Sequence, residues 1–369
     1  FFQAEDGIRG PVFPDVLAAF DLSDAQGAWF FFLPAAAALV NNLALTGWIE
    51  RTGARWTLGV YSLVQLAGLA VTAIAGRYAT VLGGSLLIGL STGGVGIAAN
   101  VLVGTGAPPA RRRQWLGGLH AMYGAAALIG PLWATAGAHL GWDWRLTTAS
   151  LGVASAGVAL RALIGRGSPP SSVAARSDAA RRPNRDDRGE RSHRPARPVH
   201  SAAWFGALCM CYVVAEVTIG SRLPLYARRD AGYSPAGANA LLTLFYVGLF
   251  AGRLAFAVIS APYRTHALMT MSAATGLVCA VLGLAYDPVW FAAAGLCFSI
   301  FYPAAMALVG ELHDADGALF YVTSWCITLQ ALGLMAMHLG VGYISDAAGL
   351  PRALWIVPSC LLAVLGLLA

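Results

Sequence analysis

The 369-residue chain contains no lysine, so all 24 of its Lys-or-Arg positions are arginine. A Walker-type phosphate loop needs its lysine, which excludes a nucleotide-hydrolysing site of that kind, and lysine Schiff-base chemistry is excluded with it. Charge of either sign is scarce: 11% of residues are charged and 57% hydrophobic, where a soluble domain carries about 25% charge. A soluble enzyme and a single-span anchor are both ruled out. At about 20 apolar residues per spanning helix the length holds roughly eleven or twelve spans, each satisfying its own backbone hydrogen bonds in lipid. Lysine avoidance is also a compositional mark of GC-rich bacterial genomes, which makes a bacterial cytoplasmic (inner) membrane the expected location.

Other chemistry is missing too. There is no His-Glu-x-x-His motif, and the six cysteines (Cys209, Cys211, Cys279, Cys297, Cys326, Cys360) all lie inside apolar runs. Cys209 and Cys211, two apart, fall on different helix faces, so neither a disulfide nor a metal pair is indicated. No metal, no cofactor and no enzymatic activity are expected. The net charge of +6 is almost all in residues 166–200, where nine arginines face Asp178, Asp186, Asp187 and Glu190. No structured basic surface is left for nucleic acid.

What is abundant is apolar sequence of spanning length. Runs recur at 27–47, 56–76, 79–103, 114–138 and 144–164, then at 202–226, 237–260, 266–285, 288–310, 317–342 and 350–369. The reading is an all-α polytopic membrane protein. Ahead of the first run, Gln3 to Arg9 (QAEDGIR) is polar and resembles the translation of a sequencing adapter. Residues 1–9 are therefore expected to be an artefact, with the first helix largely missing. Residues 10–165 then form an N-terminal bundle and 201–369 a C-terminal one. Residues 166–200, rich in Pro, Ser and Arg, make a disordered cytoplasmic linker, or alternatively a regulatory or lipid-binding arm. Counting the missing helix as the first, arginines concentrate after even-numbered helices, which places linker and termini in the cytoplasm.

The turn Gly47-Trp-Ile-Glu50-Arg51-Thr-Gly53-Ala-Arg55 sets a carboxylate beside guanidinium groups in a glycine-framed loop between the second and third helices. It resembles the signature loop of the major facilitator superfamily, with glutamate where aspartate is usual. In the fifth helix His120-Ala-Met-Tyr123-Gly124 followed by Gly130-Pro131, in the seventh Tyr212 to Tyr226 with Glu216 and Gly220, in the tenth Gly295 to Pro303, and in the eleventh Gly342 to Asp346 resemble the fucose:proton symporter and sugar-permease-like branch. Arg222 departs from it, standing where relatives commonly have an aromatic. The resemblance implies a major facilitator fold of two six-helix bundles and a secondary transporter of a small polar solute.

Glu216 is the only carboxylate well inside an expected span. A charge there costs ~3 kcal/mol or more, so it should face a cavity, where it can take up and release a proton. The competing role is a structural pair with Arg222, six residues on. His120, Tyr123, Tyr212, Ser299, Tyr302, Trp325 and Gln330 are candidate substrate contacts, and Gly47, Glu50, Arg51, Gly53, Arg55 and Arg253 candidate gating groups. Gly124, Gly130, Pro131 and Pro303 are placed to bend helices. The expected function is proton-coupled transport of a sugar-like solute by alternating access, by a monomer in lipid. The alternative is a proton-driven drug or metabolite exporter, which a cavity of mainly aromatic and aliphatic side chains would favour.

Overall fold

The computed structural model describes residues 2–106, 108, 112–164, 199–258, 265–313 and 319–369, and the regular elements among them are all helical. The first half contains α1 (Phe2–Phe20), α2 (Asp24–Thr52), α3 (Ala54–Ala73), α4 (Tyr78–Gly106), α5 (Arg112–His139), α6 (Trp144–Ser150) and α7 (Gly152–Ile164). The second contains α8 (Val199–Arg229), α9 (Pro235–Val258), α10 (Thr265–Ala285), α11 (Val289–Phe298), α12 (Phe301–His313), α13 (Leu319–Ala348), α14 (Leu350–Ala353) and α15 (Ile356–Leu368). Since α6/α7, α11/α12 and α14/α15 each make one pass, the described residues give six passes per half. In lipid a helix is the one open-ended element that pairs all its own backbone groups, which is why the hydropathy pattern becomes helices throughout.

In the structure α1 runs through the polar segment, Arg9 is buried, and its guanidinium lies 5.8 Å from the Phe30 ring. The seventh pass begins at Val199, two residues earlier than the boundary placed at 201. The rest of the arginine-rich linker lies outside the described residues.

Apolar side chains fill the core and also cover the outside, and small polar residues are buried between helices. Val153, Leu160, Ile164, Val278, Leu296 and Leu362 are exposed, as lipid-facing side chains are, while Thr57, Ser62, Gln65, Ser85 and Ser91 are buried between helices. Asn41 ties three helices of the first half together, donating to Leu90 O on α4 and accepting from Tyr61 Oη on α3. Pro303 has no N–H to offer the carbonyl four residues back, and the tenth pass is interrupted there, between Phe298 and Phe301. Pro131 sits inside α5 without interrupting it. The halves meet along α2 with α13, α5 with α9, and α1 with α8.

The signature-like loop is a tight reversal. Gly53 closes α2 and opens α3 at φ +81°, a left-handed conformation that glycine adopts without a Cβ penalty. Among the described residues, the partners of Arg55 are backbone carbonyls of α7. Its Nε donates to Ala162 O and an Nη to Arg161 O, so it holds the C-terminal end of α7, where cations are favoured. Arg51 is exposed in the last turn of α2, and the side chains of Gly47 and Glu50 lie outside the described residues.

Candidate functional site

Between the halves lies a cavity of about 280 Å³, walled by α1, α2, α4, α8, α9 and α13. Glu216 and His338 are on its wall, as are Arg9, Thr92 and Ser221, and the remainder is mainly apolar: Phe31, Leu39, Phe245, Tyr246, Ile327 and Leu334 among others.

Glu216 is the centre of a compact polar group. Arg253, from α9, donates to its Oε1 at 3.2 Å and its Oε2 at 3.3 Å. Tyr212, one turn earlier on α8, has its hydroxyl 2.5 Å from Glu216 Oε2 and 2.6 Å from Phe298 O. The i, i+4 spacing puts Tyr212 and Glu216 on one helix face, and the interrupted tenth pass brings the Phe298 carbonyl against them. Arg253, expected at a gate, is instead the partner of Glu216. Arg222, considered as that partner, is turned the other way. A separation of six residues rotates it well around α8, and it faces α1, α2 and α13.

There Arg222 is 1% exposed, with its guanidinium carbon 4.6 Å from the Phe13 ring centre and 4.7 Å from that of Phe31. His338 stacks on the other side of this layer, 5.0 Å from Phe31 at 14° between ring planes. Phe13, Phe31, Arg222 and His338 thus form a plug between the halves at one end of the cavity.

Beyond the plug, about two turns further along each helix, is a polar latch. Arg229 of α8 pairs with both carboxylate oxygens of Asp24 at 3.0 and 2.7 Å, and Ser345 of α13 donates to the same carboxylate. Arg228 pairs with Asp15 of α1 at 2.8 Å. Asp346, at the end of α13, accepts from the Asp24 and Ala25 amides at 2.7 and 3.2 Å, while Ser23 caps the Gln26 amide. The first turn of α2 is therefore capped from the opposite half. Gly342 makes this approach possible, since a Cβ there would meet Ala28 Cβ and Asp24 O at 2.7 Å.

The other expected site residues are distributed differently. Ser299 is buried and donates to Leu296 O within its own pass, packing against Gly252 instead of the cavity. Its hydroxyl is satisfied locally, which keeps it from the cavity. Tyr302 lies beside Gln330, but neither is on the cavity wall; Trp325 is 41% exposed. Gly130 and Pro131 are buried in α5, whereas the side chains of His120, Tyr123 and Gly124 lie outside the described residues. Asn100 donates to Gly96 O of its own helix. The run Gly89-Leu-Ser91-Thr-Gly93 spells a hydrolase nucleophile pattern but sits inside α4, with Ser91 buried and donating to Ile88 O. That chemistry needs an exposed strand-to-helix turn.

Sequence reasoning missed the latch residues Asp15, Asp24, Arg228, Arg229 and Ser345. Their one signal was an acid and a basic pair at the ends of passes expected on the same side.

Comparisons agree with this architecture. Among solved structures, a bacterial homolog of the human lysosomal transporter Spinster, in an inward-facing and occupied conformation, superimposes with a TM-score of 0.73 at 14% identity, covering 100% of this chain and 92% of that one. A D-xylose-proton symporter superimposes with a TM-score of 0.74 at 13% identity, covering 99% and 94%. No curated protein sequence matches. The sequence itself matches the profile of the Major Facilitator Superfamily over residues 2–327. With two six-pass halves around a central cavity, the chain belongs to the Major Facilitator Superfamily of transporters.

Proposed function

We propose that the chain is a proton-coupled secondary transporter that carries a small solute through the central cavity, with Glu216 as the proton site. The observation that carries this reading is Glu216 on the cavity wall, held from behind by Tyr212 and Arg253. It accommodates two protonation states. Ionised Glu216 accepts a hydrogen bond from the Tyr212 hydroxyl and pairs with Arg253. Protonated Glu216 donates to Tyr212 Oη, which turns its own single proton to Phe298 O. In the second state Arg253 loses its counter-charge, so protonation loosens the contact between α8 and α9.

The arginine distribution puts the latch on the outer face. In this reading the conformation is closed to the outside by latch and plug, and outward opening requires Asp24 and Asp346 to part from the other half. A bundle that rocks about a midplane site gives alternating access.

A sugar is the first solute class, supported by the resemblance of the seventh and tenth helices and by the sugar-proton symporter of like fold. The second reading, a proton-driven exporter of apolar compounds, is favoured by the mainly aliphatic and aromatic wall. Volume weighs against large drugs, since drug-sized pockets run from about 300 to 1,000 Å³ and this one is at the lower limit.

Glu216→Gln tests the proton role in proteoliposomes. The variant is expected to keep solute counterflow, which needs no net proton movement, and to lose accumulation driven by a pH gradient. Accumulation at the wild-type rate would sink the assignment.

A further inference from the structure

The plug contains a group that the proton site does not use. Arg222 is a guanidinium buried between the two halves, with no carboxylate bonded to it among the described residues. Its Nη2 has a long contact, 3.5 Å, with His338 O, and its Nε has no hydrogen-bond partner among the described residues. The acid within electrostatic reach is Asp24, whose oxygens are engaged by Arg229 and Ser345. His338, 5% exposed and on the cavity wall, also has a partnerless atom, Nδ1. The charged groups acting on His338 are Arg222 and Arg9, both cationic. A buried cation with an open donor, beside an open imidazole nitrogen, is a costly arrangement for a protein to leave unfilled.

We propose that Arg222 and His338 form the anion subsite of the transported solute, and that this solute is a small organic monocarboxylate. The inference rests on the transporter reading and sharpens its substrate class. Ser221, Phe31 and His338, which flank or touch Arg222, all face the cavity, so a carboxylate entering from the cavity meets the guanidinium once the Phe31 and His338 rings part. The planar guanidinium matches a carboxylate, and the two phenylalanine faces hold it in place without neutralising it. One guanidinium calls for one negative charge, which favours a carboxylate over a phosphate dianion. The body of the solute then lies along Phe245, Tyr246, Ile327 and Leu334. The charge balance has a consequence: one proton on Glu216 moving with one monocarboxylate carries no net charge, whereas a neutral sugar with a proton carries one.

The test uses acid and neutral twins: galacturonate with galactose, and phenylacetate with phenylacetamide. Thermal unfolding of the purified full chain is followed with each. A ligand of the folded state at one hundred times its dissociation constant raises the melting temperature by about 3–4 °C. The expected result is a rise with at least one acid, none with its neutral twin, and loss of the rise in R222Q. If R222Q does not fold, the twin comparison on the wild type still decides, and H338Q is expected to weaken the acid's effect. Equal stabilisation by neutral twins, an acid effect that survives in R222Q, or no response to any of the four overturns the subsite. Proton entry into proteoliposomes separates the two readings. Entry driven by galactose and not by galacturonate rejects the anion subsite and leaves coupled transport standing. Acid binding with no solute-driven proton entry rejects coupled transport and leaves the subsite.

Discussion

At the residue scale, the pairing of Glu216 with Arg253 is the energetic core of the cavity. Removing one member of a buried pair strands the other charge, at about 3–5 kcal/mol for a fully buried case. Arg253 is 28% exposed at its side chain and Glu216 14%, so Arg253→Ala is expected to cost less, about 2–3 kcal/mol. Glu216→Gln combined with Arg253→Ala should recover part of that loss, because neither charge is then stranded. Thermal unfolding of the wild type, both single variants and the double variant checks this; equal losses in R253A and in the double variant would show that the two groups do not act as a pair. The Tyr212 and Glu216 pair was legible in the sequence, as one turn of helix separates them. Arg253 was visible as a charge in a span but not as the partner, since contact between α8 and α9 at that depth is a product of packing. Arg222 was noticed as a departure from its relatives, yet its neighbours Phe13 and Phe31 come from the other half of the chain.

At the element scale, α2 is capped by Asp346 from α13, a bond across the two halves that must break if they separate at that end. Loss of such a cap costs about 1 kcal/mol. Asp346→Ala is therefore expected to speed hydrogen exchange of the Asp24 and Ala25 amides about fivefold, with α3 unchanged; unaltered exchange in the first turn of α2 would mean that Ser23 alone holds it. Helix positions were largely readable from hydropathy, because lipid forces every spanning segment to close its own hydrogen bonds. The break beside Pro303 was readable for a similar reason, a missing N–H. The first helix was not. Its Gln3 to Arg9 segment is polar and is followed by Pro11 and Pro14, and it is packing against distant residues, Arg9 on Phe30 and Phe13 on Phe30 and Phe31, that places the helix in the bundle. The latch was equally hidden, with Asp24 and Arg229 separated by 205 positions in the chain.

At the scale of the whole molecule, cavity, plug and latch lie in sequence along α2, α8 and α13. From Asp24 to Phe31 and from Arg229 to Arg222 is seven residues each, about 10 Å of helix, so the plug lies at matching depth in both halves. Residues that hold the halves together at one end are thus distinct from those that would take up a proton, and α8, which carries Glu216, Arg222 and Arg229 on one continuous helix, links the two directly. The measurement that tests this account most directly is solute-driven proton entry into proteoliposomes, read by an internal pH dye, for the wild type and Glu216→Gln. An inward gradient of galactose, xylose, galacturonate and phenylacetamide, each applied in turn, should acidify wild-type vesicles with at least one solute, and the variant should show counterflow of that solute without acidification. Acidification of equal size in the variant, or none in the wild type with a solute it demonstrably exchanges, would contradict proton coupling through Glu216.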